Sequence, residues 1–103
     1  MNVLITGGAG FIGSHLIDKF ISRKYNVIAI DNLLTGTKKN LDPFLKNENF
    51  TFLNLDVQNH IEISQDLDYV LHLASAASPK AYTEHPINTL KAGSIGTINT
   101  LGL

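Results

Sequence analysis

The 103 residues are 44% hydrophobic and 17% charged, with a formal charge of −1 and no cysteine. One domain is the natural reading of that length, and the near-neutral balance argues against a nucleic-acid or anionic-membrane partner. Lack of cysteine excludes disulfides and thiolate metal sites and fits a reducing cytoplasm.

No apolar run approaches a membrane span, and Asn2-Val3 enter the first strand directly after Met1, so no targeting segment is expected. His15, His60, His72 and His85 show no ligand-like spacing, and no metal is expected. Residues 2–6 read as a buried strand, apolar through Val3-Leu4-Ile5. Thr6-Gly7-Gly8-Ala9-Gly10-Phe11-Ile12-Gly13 follows, and a helical pattern runs from Phe11 to about Lys24. Ile12, Leu16 and Phe20 fall at i, i+4 and i+8, with Ile17 and Ile21 widening the stripe. Gly7 suits a tight, positive-φ turn, Gly10 lets the backbone reach a pyrophosphate, and Gly13 lets the helix sit close on the strand. The first N–H groups of that helix lack intrahelical partners, and its dipole places partial positive charge there. A glycine triplet is weak evidence alone; a strand, a helix and a downstream acid around it make it a dinucleotide turn.

Val27-Ile28-Ala29-Ile30 is a second buried strand, which completes a βαβ unit with parallel strands and a right-handed crossover. Asp31-Asn32 ends it, eighteen residues beyond Gly13. An acid there can accept from both hydroxyls of an adenosine ribose and repels a 2′-phosphate. No arginine follows, and Lys38 and Lys39 lie some way into the loop, so NAD is favoured over NADP. The plain alternative is that Asp31 caps a strand end.

Residues 32–48 are polar and read as a loop, with a short helix around Leu41–Lys46 that Pro43 weakens. Phe50 to Leu55 is a third strand, ending in Asp56-Val57, where a carboxylate and an apolar neighbour can hold adenine; taken without context, an acid such as Asp56 is more often just a turn residue. Residues 58–67 are ambiguous in pattern and read as one irregular helical turn. Asp68 to Ala74 is a fourth strand, in which His72 reads as a packed core histidine rather than a base. Small residues from Ala74 to Ser78 then permit close approach of a ligand, or simply a cramped loop under a helix. From Pro86 to Leu103, Ile87, Leu90, Ile95, Ile98 and Leu101 fall at helical intervals despite Gly93, Gly96 and Gly102, each costing roughly 1 kcal/mol against alanine. The apolar pattern still runs at Leu103, so an incomplete domain is expected. The fold class is α/β, a parallel sheet of about four strands with helices on both faces.

The glycine turn, Asp31-Asn32, Asp56-Val57 and His72-Leu73-Ala74 resemble the extended short-chain dehydrogenases/reductases, NAD-dependent nucleotide-sugar epimerases, dehydratases and decarboxylases with a Rossmann-type sheet. Residues 31–36, 73–79, Thr89-Leu90-Lys91 and 96–103 look most like the UDP-glucuronate decarboxylase group. The resemblance implies that Gly7, Gly10, Phe11 and Ile12 contact the pyrophosphate and that Asp31 and Asn32 hold the ribose, closed over by Leu34, Thr35 and Gly36. It places adenine at Asp56 and Val57, and the nicotinamide ribose at Leu73, Ala74 and Ser75. Tyr82, Lys91 and Asn99 match positions at the nucleotide sugar, and a homodimer through the final helix is implied. Ala76 stands where many relatives have proline, and Ala92 where some have a cofactor-contacting threonine. Such enzymes oxidise C4 of the sugar, lose carbon dioxide from the resulting β-keto acid and return the hydride, with a tyrosine and a lysine four residues later moving the proton. Tyr25, Tyr69 and Tyr82 are followed at that offset by Ala29, Leu73 and Pro86. The expectation is therefore an amino-terminal cofactor half, inactive alone, with the catalytic pair and the substrate domain beyond Leu103. A 4-epimerase or 4,6-dehydratase half shares every cofactor residue. A non-catalytic NAD-binding module that docks through its last helix is the alternative of another class.

Overall fold

The computed structural model describes residues 1–34, 36–74 and 83–103. Strands β1 (Asn2–Thr6), β2 (Asn26–Asp31), β3 (Phe50–Asn54) and β4 (Tyr69–His72) form one sheet, all pairs parallel, in the order β3-β2-β1-β4. Central β1 pairs Val3 with Val27 on one side and with Tyr69 on the other. Its residues Val3 to Thr6 are fully buried, as a parallel strand covered on both faces must be. The chain adds β2 and β3 on one side of β1 and then crosses to place β4 on the other. That reversal opens a crevice beyond the carboxyl ends of β1 and β4.

Alternation along each strand sorts the core into two layers. Val3, Ile5, Val27, Ala29 and Phe50 face α1 (Phe11–Ser22) and a 3-10 segment (Lys38–Phe44), and pack with Ile17, Leu41 and Phe44. Leu4, Ile28 and Ile30 face the opposite way, towards Val57, Ile61, Ala92 and Leu103. In α1 the buried residues are Gly13, Ser14 and Ile17, while Ile12 is 64% exposed. The expected stripe is thus rotated. Gly13 sits so close over Gly7 that this side of the helix meets the sheet, and Ile12 is left exposed.

The helix expected over Leu41–Lys46 starts earlier and is a 3-10 segment, capped by the Thr37 hydroxyl, which accepts from Lys39 N. Three residues per turn bring Leu41 and Phe44 to one face, and both are buried. Residues 58–67 form no helix; a turn from Asp56 to Asn59 leads into irregular chain with Ile61 buried. The single helix expected from Pro86 is two, α2 (Pro86–Gly93) and α3 (Ile95–Leu101), broken at Ser94 (φ −107°, ψ −74°). The Ser94 and Thr97 hydroxyls donate back to Leu90 O and Gly93 O around the break. No helix of the described residues is long and apolar enough to cross a membrane.

The glycines at this break are not equivalent. A Cβ on Gly96 would lie 2.7 Å from Val57 Cγ2, whereas one on Gly93 would meet nothing within 4 Å. Gly93→Ala is therefore expected to stabilise the chain by about 0.5–1 kcal/mol, and Gly96→Ala to destabilise it by about 1–3 kcal/mol through overpacking. Urea denaturation of the two variants beside the parent measures both; shifts of the same sign would show that the contact at Val57 is not limiting.

Candidate functional site

The turn after β1 is built by docking on the end of β2. Gly7 N and Gly8 N donate to Ile30 O at 2.7 and 3.3 Å, and Ala9 N donates to Asp31 Oδ2 at 2.9 Å. Gly7 adopts φ +72°, the left-handed region open to glycine, and a Cβ there would lie 2.6 Å from Leu73 O. Gly10 caps α1 without any side-chain hydrogen bond, and no acidic residue stands in the first turn. The N–H groups of that turn are therefore available to an anion.

Asp31 is 8% exposed. Its second oxygen, Oδ1, accepts from Leu33 N at 2.7 Å. This bond holds Leu33 at φ 63°, a conformation that costs a leucine roughly 1–2 kcal/mol. Each carboxylate oxygen keeps a lone pair, so the acid both builds the turn and can accept from a diol. Asn32 Nδ2 donates to Asp56 Oδ2 at 3.1 Å, and Asn32 Oδ1 accepts from Leu34 N, which links the ends of β2 and β3. Asp56 Oδ1 accepts from Gln58 N.

These groups meet in one open cleft at the carboxyl ends of the strands. Gly7, Gly10, Asp31, Asn32, Leu34, Gly36, Asp56, Val57, Leu73 and Ala74 all line it. Phe11 and Ile12 are 76% and 64% exposed and do not line it. Their side chains are directed elsewhere (Phe11 stacks on His15 at 4.5 Å), so any contact they make with a phosphate is through the backbone. Thr35, Ser75, Ala76 and Tyr82 lie outside the described residues. Lys91 is exposed on α2, and neither it nor Asn99 lines the cleft. Asn99 Nδ2 donates to Val57 O at 2.6 Å and Asn59 O at 2.9 Å. Both its amide protons are used in pinning the loop after β3, which leaves Oδ1 for any substrate.

Sequence reasoning passed over Ile30, Leu55, Gln58, Asn88 and Thr89, which also line the cleft; Ala92 does too, at the position noted for its missing threonine. Asn88 and Ala92 are an i, i+4 pair on α2, on the side away from exposed Ile87 and Leu90. That polar-and-small face was a readable signal.

Residues 3–103 match the model of the NAD dependent epimerase/dehydratase family. The chain belongs to that family. Among curated relatives, UDP-glucuronic acid decarboxylase 1 of Danio rerio is 48% identical over 101 residues, covering 98% of this chain and 24% of the relative. Among solved structures, UDP-glucose 4-epimerase of Thermotoga maritima with UDP-glucose is 36% identical with a TM-score of 0.78, covering 99% of this chain and 33% of that one. The dTDP-glucose 4,6-dehydratase of Bacillus anthracis in complex with NAD is 27% identical with a TM-score of 0.81, at the same coverage of 99% and 33%. The chain thus spans about a quarter of the length of the curated decarboxylase it matches and a third of these solved chains. The cofactor of the family is NAD, and the cleft suits it: unpaired amides in the first turn of α1 for phosphates, a buried carboxylate for a diol, and an acid-valine pair for a base.

Asp31→Asn tests the double use of the carboxylate. One oxygen becomes an NH₂ that must face either Ala9 N–H or Leu33 N–H, leaving a buried donor unpaired. A loss of about 1–3 kcal/mol in urea denaturation is expected; unchanged stability would show that these two bonds do not hold the turn.

Proposed function

We propose that this chain is the NAD-holding part of a nucleotide-sugar-modifying enzyme of the UDP-glucuronate decarboxylase type, and that alone it is inactive. The observation that carries the reading is the convergence of the glycine turn, Asp31 and Asp56-Val57 on one cleft at the carboxyl ends of the strands. The 48% identity to a decarboxylase supports the substrate class. A cytoplasmic location belongs to the same reading.

In this reading the free amides of Phe11 and Ile12 hold the pyrophosphate, Gly7 and Gly10 contact it as side-chain-free backbone whose own amides are tied to Ile30 O and Gly7 O, and the α1 dipole favours its charge. Asp31 and Asn32 accept from and orient the adenosine ribose, while Leu34, Thr35 and Gly36 cover it. Asp56 accepts from the exocyclic amine of adenine, and buried Val57 gives its ring an apolar seat. Leu73, Ala74 and Ser75 exclude water beside the nicotinamide ribose. NAD, when bound, supplies a hydride acceptor that can return the hydride. Lys91, Tyr82 and Asn99, through Oδ1, serve the nucleotide sugar. No Tyr-x-x-x-Lys occurs in the 103 residues, so proton transfer at the sugar hydroxyl is assigned to residues outside them.

The same reading makes the enzyme a homodimer through α2 and α3. Ile87, Leu90, Ile98 and Leu101 are 65%, 70%, 69% and 81% exposed along these helices, an apolar stripe of the kind that marks an interface. Sedimentation of the chain is expected to show a concentration-dependent dimer that Ile98→Lys dissociates; an unaltered monomer in both would remove this part of the reading.

Calorimetric titration with NAD⁺ is expected to show saturable binding at or below about 1 mM, and weaker binding of NADP⁺ because Asp31 repels the 2′-phosphate. Absence of heat at that concentration would overturn the cofactor assignment. UDP-glucuronate should not turn over with this chain alone. For an enzyme carrying this chain with its catalytic pair, conversion of UDP-glucose or dTDP-glucose instead would assign it as a 4-epimerase or a 4,6-dehydratase.

A further inference from the structure

We propose that His72 is a positioning residue of the cofactor cleft: its imidazole joins the end of α2 to the Thr6 hydroxyl, which holds the Leu73-Ala74 backbone against the glycine turn. Thr6 is fully buried at the end of β1. Its Oγ1 lies 2.7 Å from His72 Nδ1 and accepts from Leu73 N at 3.0 Å and Ala74 N at 3.2 Å. The other ring nitrogen, Nε2, lies 3.1 Å from Ala92 O.

Proton accounting leaves one arrangement. Ala92 O can only accept, so Nε2 carries a proton. Both lone pairs of Thr6 Oγ1 are taken by backbone N–H groups, so its own proton goes to Nδ1, which must be bare. Leu73 N also donates to Thr6 O at 3.1 Å, so its proton is shared between the two Thr6 oxygens, and the imidazole is the Nε2–H tautomer. Ala92 stands in the last turn of α2, where carbonyls lack their own helical donors, and His72 supplies one.

The ends of this relay are both at the cleft. Leu73, Ala74 and Ala92 line it from two different elements. Leu73 O is also the atom that a side chain on Gly7 would strike, so the peptide held by Thr6 is in contact with the turn. Gly96 approaches the ring as well; its Cβ would lie 3.5 Å from His72 Cε1. The relay therefore fixes the spacing between α2, the end of β4 and the glycine turn.

The affinity arm of the test rests on the NAD reading above; the relay itself is read without ligand. Nitrogen-15 spectra of the His72 ring in the 103-residue chain are expected to show the Nε2–H tautomer with Nδ1 accepting, and the Ala74 amide should exchange slowly. An Nδ1–H tautomer, or a fast-exchanging Ala74 amide, overturns the relay whether or not NAD binds. Thr6→Val removes the hydroxyl at constant shape and His72→Phe removes the ring nitrogens. Each is expected to weaken NAD⁺ binding by about tenfold or more and to expose the Ala74 amide, while amides of β2 stay protected. Thr6→Ser, which keeps the hydroxyl, should stay within about twofold of the parent. Parental affinity in both Thr6→Val and His72→Phe overturns the proposal. Where His72→Phe does not fold, the Thr6 pair decides it. If the parent chain itself fails to bind NAD⁺ while the tautomer is as expected, the cofactor reading fails and the relay stands as a device of the fold.

Discussion

The structure depends on the docking of one turn on one strand end. Ile30 O and the Asp31 carboxylate take the amides of Gly7, Gly8 and Ala9, and these bonds direct the chain from β1 into α1. Without them, three amides at the end of a fully buried strand would lack partners, at about 1–3 kcal/mol each. With them, the helix N-terminus is held at the carboxyl end of the sheet, with Gly10 at its cap lining the crevice. Burial of β1 and the anion-binding end of α1 are thus consequences of one set of contacts.

That geometry carries local strain beside the cleft, in addition to the positive φ of Lys24 after α1. Gly7 and Leu33 both have positive φ, and both sit next to a bond made by β2 or by Asp31. Strained backbone persists where its surroundings over-determine it, which is the usual situation at binding sites. The Asn32–Asp56 bond and the Asn99 contacts to Val57 O and Asn59 O add polar ties where the loops would otherwise be held only by small hydrophobic contacts. The cleft is therefore a rim of hydrogen-bonded loop ends on a rigid apolar sheet.

Holding a dinucleotide and doing chemistry with it are separable tasks in this architecture. The groups suited to holding it all come from the carboxyl ends of four strands and from α2, which the first hundred residues of the fold supply. The family relationship connects the two tasks, and the matched region covers about a quarter of a curated decarboxylase.

Most of the sheet and the principal turn were legible in the sequence, because they depend on local pattern. Val3-Leu4-Ile5 and Val27 to Ile30 are continuous apolar runs, and the glycine spacing with Asp31 specifies a dinucleotide turn by chemistry alone. Four parallel strands with helices on both faces followed from that. What the tertiary structure decided was set by contacts between residues far apart in the chain. The stripe of α1 turned towards Gly13 because that glycine meets Gly7. The last helix broke at Ser94, and its Gly96 packs on Val57. Asn99 acquired backbone partners forty and more residues away. His72 was read as a core histidine, and only the placement of Thr6 and Ala92 on its two nitrogens revealed a directional link. Periodicity determines which face of an element is apolar; which atoms a polar side chain meets there is decided by the packing of elements from elsewhere in the chain.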